Sequence, residues 1–185
     1  MSARPNQAPV SLIIKQQLVS CGWTVKPMQT NTSPDPATAN IQSGLPTAPP
    51  PAGNYSAVRV YDGWLYTSGQ LSWRDGRIIH PGIIGVNVSV EQALEAAAIA
   101  ATNLIAQLKL AVGDLDRVAA CMRLTCHLAC APTFHDHPTV LDDASAVLVE
   151  HLGHEVGRHA RLAYGSSSLP FNSPIEIEGI FRLRR

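Results

Sequence analysis

Charge is scarce in this sequence. Asp, Glu, Lys and Arg make up 15% of the 185 residues, and the two signs balance at 14 each. Without a basic surplus there is no field to gather a polyanion, which disfavours a dedicated DNA or RNA binder and leaves at most a small local patch. So low a charge fraction also implies that some surface beyond the core is covered. The four cysteines, Cys21, Cys121, Cys126 and Cys130, include no C-x-x-C pair, and free thiols in a reducing compartment are the simplest account. The apolar run Val10 to Ile14 is too brief for a signal core and leads into Lys15-Gln16-Gln17. No run reads as long enough to span a bilayer, so the expectation is a soluble, cytoplasmic protein with no membrane partner. His135-x-His137 lacks a third ligand at a persuasive spacing, and His151 and His154 with Glu155 fall short of H-E-x-x-H, so no metal site is expected.

What the chain does have is 45% apolar residues, enough for one core, which suggests one domain plus a tail. Residues 11 to 22 fit a short amphipathic helix, with Leu12, Ile13, Leu18 and Val19 on its apolar side. From Pro27 to Gly53 the chain is rich in Pro, Thr, Ser, Asn and Ala and reads as a linker or mobile loop, with the folded unit starting near Gly53-Asn54-Tyr55. Next come β-rich runs on either side of Asp62-Gly63, the strongest short hairpin signal, ending in Thr67-Ser68-Gly69-Gln70. That end is either an ordinary strand terminus or a place where Gly69 lets a ligand approach. A second turn is read at Arg74-Asp75-Gly76.

Ser89 and Gln92 form a capping-box pattern ahead of a long helix whose apolar positions run from Val90 to Val112, with Gly113 as its stop. Val118 to Cys130 alternates as a strand, with Val118, Ala120, Met122, Leu124, Cys126, Leu128 and Cys130 on its apolar face and Cys121 opposite. The opposite face is small and partly polar, which fits contact with another subunit or an internal channel. A second helix is expected over Thr139 to Leu152. The order β-β-α-β-α-β-β is that of an α+β sandwich, a sheet with two helices on one face.

The end of the chain carries the candidate chemistry. Arg158 to Gly165 and Ile175 to Leu183 read as strand, turn, strand, with Ile175, Ile177, Gly179, Phe181 and Leu183 on the core face and Glu176, Glu178 and Arg182 on the other. Arg161 offers two parallel donors that suit a substrate carboxylate, beside an acidic proton carrier. The plain alternative is solvated surface or a modest ion pair.

Tyr55, Thr67-Ser68-Gly69-Gln70, Arg161, Leu169-Pro170 and Ile175-Glu176-Ile177-Glu178, in this order around the long helix, resemble the motifs of the RidA/YjgF family, also called endoribonuclease L-PSP. The resemblance covers Pro46 to Arg185 and leaves 1–45 as an N-terminal extension. It implies a chorismate-mutase-like fold, a homotrimer with clefts between subunits, and cofactor-free hydrolysis of reactive 2-imino acids to 2-oxo acids and ammonia. Arg161 matches the arginine that clamps the substrate carboxylate, and Glu176 the acid that positions or activates water. Tyr55, Ser68 and Gly69 match pocket-lining positions.

Ala163 stands where many deaminating members carry Cys, a position at which the family uses the backbone. Asp142 stands nearest to an Asn early in the second helix, and its charge would weaken anion binding unless it points away. The resemblance thus implies an imine deaminase of a divergent branch. An endoribonuclease and a non-catalytic trimer that binds small carboxylates or acts like a chaperone remain the alternatives.

Overall fold

The computed structural model describes residues 44–185; the expected helix over 11–22, Cys21 and the linker as far as residue 43 lie outside them. Two Asp-Gly pairs shape the first half. Asp62 (φ 47°) and Gly63 (φ 72°) take the left-handed conformations that a tight hairpin demands and join β1 (Val58–Tyr61) to β2 (Trp64–Thr67). Asp75 (φ 52°) and Gly76 (φ 76°) do the same between β4 (Trp73–Arg74) and β5 (Arg77–Ile78). The short β3 (Gln70–Leu71) lies between the hairpins.

The main sheet runs β1-β2-β8-β6-β7, where β6 is Val118–Ala129, β7 Ala160–Ser166 and β8 Ile175–Leu183, and β3 also pairs with β8. Here the strand-turn-strand reading is corrected. β7 and β8 both pair with β6, parallel and antiparallel respectively, and not with each other. Twelve-residue β6 offers two long edges, and the helices between β6 and β7 supply the crossover a parallel pair needs.

β6 itself departs from simple alternation. Register shifts between Val118 and Ala120 and between Cys121 and Arg123 insert extra residues, each of which reverses the side-chain sense. Cys121 therefore lies opposite Phe181 and is 3% exposed, whereas Met122, expected in the core, is 45% exposed. Cys121 and Cys126 share the core face, contrary to the sequence expectation.

Helix α1 (Val90–Val112) begins with the expected capping box: the Ser89 hydroxyl accepts from Gln92 N at 3.2 Å, and Gln92 Oε1 accepts from Ser89 N at 2.9 Å. It ends as Gly113 N donates to Lys109 O. By length and composition α1 could cross a membrane, which corrects the expectation that no segment could. It lies instead against the sheet, and most of its length is buried in protein. Alanines 93, 96, 97, 100 and 101 allow close approach, and Leu104, Ile105 and Leu108 fill one core with Leu124, Cys126, Ile177 and Phe181.

The second expected helix is two: α2 (His137–Val140) and α3 (Asp142–Leu152), broken at Leu141, followed by the short α4 (His154–Gly157). Val140, Ala144 and Leu148 join the same core. Residues ahead of Gly53 are packed as well: Leu45 lies against the core, and Gln107 Nε2 donates to Pro49 O at 2.6 Å. Proline cannot donate to a ladder, so this strap is pinned through its carbonyl by a side chain of α1.

Candidate functional site

Where β2 gives way to β3, the chain turns at Ser68-Gly69. A Cβ on Gly69 would overlap the Glu176 carboxylate, so glycine is what lets β8 send that side chain beneath this turn. The result is a pocket of about 280 Å³ walled by Tyr55, Gly69, Leu71, Gln107, the strap from Pro49 to Ala52, and Glu176. Burial pushes the Glu176 carboxyl above its usual range; nearby His127 lowers it and Glu178 raises it further. A carboxyl so placed holds its proton longer than one in water and can return it to a substrate.

Tyr55, Gly69 and Glu176 are thus brought together. Ser68 is next to them in the chain, but its hydroxyl donates to Ser56 O at 2.8 Å and so ties the start of β1 to the turn.

Arg161 belongs to a second constellation. In register it lies opposite Leu124, so it stands on the helix-covered face of the sheet and reaches α3. Nη2 donates to Asp142 Oδ1 at 2.8 Å and to Pro138 O at 3.2 Å, and Nη1 donates to Ser145 Oγ at 3.0 Å. Ser145 in turn meets His159 Nε2 at 3.2 Å, while His159 Nδ1 is 2.7 Å from Gly157 O. A ring nitrogen facing a carbonyl must carry the proton, so Nε2 is the acceptor and the Ser145 hydroxyl donates to it. Burial lowers the His159 pKa, the Gly157 carbonyl raises it and Arg161 lowers it, which favours the neutral ring. Asp142 therefore points at Arg161, in the orientation that opposes anion binding. Ala163 is two residues further along β7, half-buried opposite Cys126.

The two constellations do not meet within one chain. Glu176 lies opposite His127 and Arg161 opposite Leu124, three residues along β6 and on either side of it. Their Cα atoms are separated by roughly 14 Å on ordinary strand geometry, and alternation puts their side chains on opposite faces. One sits beside β3, the other on the outer strand β7.

Sequence reasoning missed the polar supports of the pocket. Asn103 and Gln107, four apart and so on one side of α1, are 2% and 3% exposed. Asn103 Nδ2 donates to Leu71 O at 3.0 Å and Trp73 O at 2.9 Å, fixing the backbone at the pocket wall. Two amides in an alanine-rich helix were the available signal, since buried amides are retained where they satisfy backbone groups. Phe171 was missed too. It holds φ 56° and packs edge-on against Trp73 with ring centroids 5.2 Å apart. Among the described residues no group of three His, Cys, Asp or Glu is placed to hold a metal.

Comparison with known proteins bears on all of this. The chain is 34% identical over 148 residues to protein TCP17 of Trypanosoma cruzi, covering 78% of this chain and 92% of that one. A solved structure of Atu1372, a protein of unknown function from Agrobacterium tumefaciens, shares 37% identity with TM-score 0.71, over 78% of this chain and 90% of the other. A structure from Shewanella oneidensis MR-1 described as a "putative endoribonuclease" shares 30% identity with TM-score 0.72, over 91% and 98%. The model of the family described as "YjgF/chorismate mutase-like, putative endoribonuclease" matches residues 38–181, well over half of the chain. On that match the chain belongs to the RidA/YjgF family and has its chorismate-mutase-like α+β fold.

Proposed function

We propose that this protein hydrolyses 2-imino acids to 2-oxo acids and ammonia in a site completed by a second copy of the chain. The observation that carries the reading is the Glu176 carboxylate, its pKa raised by burial, lodged against Gly69 in a small pocket. In the proposed step Glu176 takes a proton from water as oxygen adds to the iminium carbon. It returns that proton to nitrogen; as the C–N bond of the carbinolamine breaks, Glu176 takes the hydroxyl proton, leaving the carbonyl, and passes it to the departing ammonia, which leaves as ammonium. The balance is iminium acid plus water giving 2-oxo acid plus ammonium. No redox partner is consumed.

Arg161 is the carboxylate clamp in this reading, presented by the neighbouring copy. Placement on opposite sides of the sheet suits a head-to-tail arrangement, in which the β3 side of one copy meets β7 of the next and the series closes as a ring. Exposed Tyr66, Leu162 and Tyr164 on the helix-free face, each 41–49% exposed, are the surface such packing would cover. A homotrimer is the closure proposed. The second reading is a carboxylate-binding role without catalysis; in either, the substrate carboxylate has to displace Asp142, which engages the clamp internally.

The experiment generates 2-iminobutyrate beside the full chain and follows 2-oxobutyrate release. Acceleration by wild type that is lost in Arg161→Ala and Glu176→Gln supports the deaminase. Carboxylate binding with no acceleration in wild type would replace it with the binding role.

A further inference from the structure

A second, larger cavity of about 1000 Å³ adjoins the Glu176 pocket. Its floor is one side of α1, with Glu95, Ala98, Ile99 and Thr102; its walls are the strap, the β4–β5 hairpin and Phe171. The two cavities share the strap residues from Pro49 to Ala52 together with Trp73 and Phe171, so they abut along the Trp73–Phe171 pair. We propose that this chamber is a subsite for a bulky apolar side chain, branched or aromatic, of the organic acid whose head lies at Glu176. The proposal rests on the Glu176 pocket being the place where that acid binds.

Three observations carry it. The lining is largely prolines and alanines of the strap with Ala98, Ile99, Trp73 and Phe171, and several of its donors are engaged: Asn103 Nδ2 with backbone carbonyls, the Thr102 hydroxyl with Ala98 O at 2.8 Å, and Arg74 Nη1 with Glu95 at 3.1 Å. Such a lining rewards apolar contact, with the charged Arg74, Asp75 and Glu95 confined to the hairpin and the adjacent turn of α1. Phe171 is 55% exposed although Phe171 and Asn172 both hold left-handed backbone, at φ 56° and 58°. Strain that presents an aromatic ring to a cavity, and not to the core, fits a site for a ligand. The Glu176 pocket, at about 280 Å³, suits a compact head group, while the room for a larger substituent lies immediately beyond Trp73.

The test is calorimetric binding of 2-oxobutyrate and phenylpyruvate to the full chain. Wild type is expected to bind phenylpyruvate at least about tenfold more tightly, as burial of an aromatic ring allows. Thr102→Phe, which fills the chamber from α1, should bring the two dissociation constants within about twofold of each other. Ala98→Leu, a smaller intrusion, should give an intermediate ratio and covers the case in which Thr102→Phe fails to fold. Wild-type constants within about threefold of each other would overturn the subsite. So would a ratio unchanged in both variants, or an unchanged ratio with an altered oligomeric state on sedimentation, which would make the chamber a contact between copies. The two proposals fail separately: imine hydrolysis without the preference removes the subsite alone, and the preference without hydrolysis removes the deaminase alone.

Discussion

Asp142 holds Arg161: the carboxylate Oδ1 lies 2.8 Å from Nη2, with 29% of the arginine side chain and 67% of the aspartate side chain exposed. So exposed a pair is worth at most about 1 kcal/mol, and a substrate carboxylate can compete for it. Asp142→Asn should therefore tighten 2-oxobutyrate binding by about two- to fivefold, read by calorimetry, with the gain shrinking as salt rises. Weaker binding in the variant would mean that Asp142 orients the guanidinium productively.

Gly69 and Glu176 predict a separation of activity from stability. In Gly69→Ala the new methyl meets the movable end of a side chain, so the carboxylate shifts while the fold survives. Deaminase activity should fall at least about tenfold while Tm drops by less than about 3 °C, equivalent to under about 1 kcal/mol. A large loss of Tm would show that the turn, and not the carboxylate, is what glycine protects.

The raised pKa of Glu176 fixes two signs. As the proposed base, it must be ionised, so kcat/KM should decline as pH falls through a midpoint above the ordinary 4.5, and Glu176→Gln should lower kcat by about 10²- to 10⁴-fold. For stability, the folded state holds this proton to higher pH than the unfolded chain. Stability is therefore fully retained below 4.5 and declines as pH rises through the folded value. Denaturation from pH 4 to 8 should show Glu176→Gln gaining on wild type toward neutral pH; a gain toward acid would contradict this.

Asn103 tests the missed support. Asn103→Leu leaves the carbonyls of Leu71 and Trp73 without their donor, for a loss of about 2 kcal/mol and a Tm lower by about 4–8 °C. A neutral result would mean that water replaces the amide at both positions.

The bulges in β6 make a chemical prediction. Burial pushes the thiols of Cys121 and Cys126 up to about 12, so both should resist alkylation in the native state, whereas half-buried Cys130 should label before either. Labelling of Cys121 ahead of Cys130, mapped by mass spectrometry, would restore the plain alternation that the bulges displace.

What the sequence determined by itself was everything set by neighbours in the chain. The Asp62-Gly63 turn, the capping box at Ser89 and the alternation from Ile175 to Leu183 each depend on conformations within a few residues, and each is found as read. The motif around Glu176 was legible for the same reason. Tertiary structure decided what depends on partners far along the chain. Only strand pairing could show that β6 lies between β7 and β8 and keeps Arg161 from Glu176, and only the ladder could reveal the shifts that turn Cys121 inward. Packing on α1 likewise made a proline-rich stretch into a wall, because Gln107 supplies the donor that Pro49 accepts. Local patterns report the preferences of a residue; which partner satisfies them is settled only when the chain closes on itself.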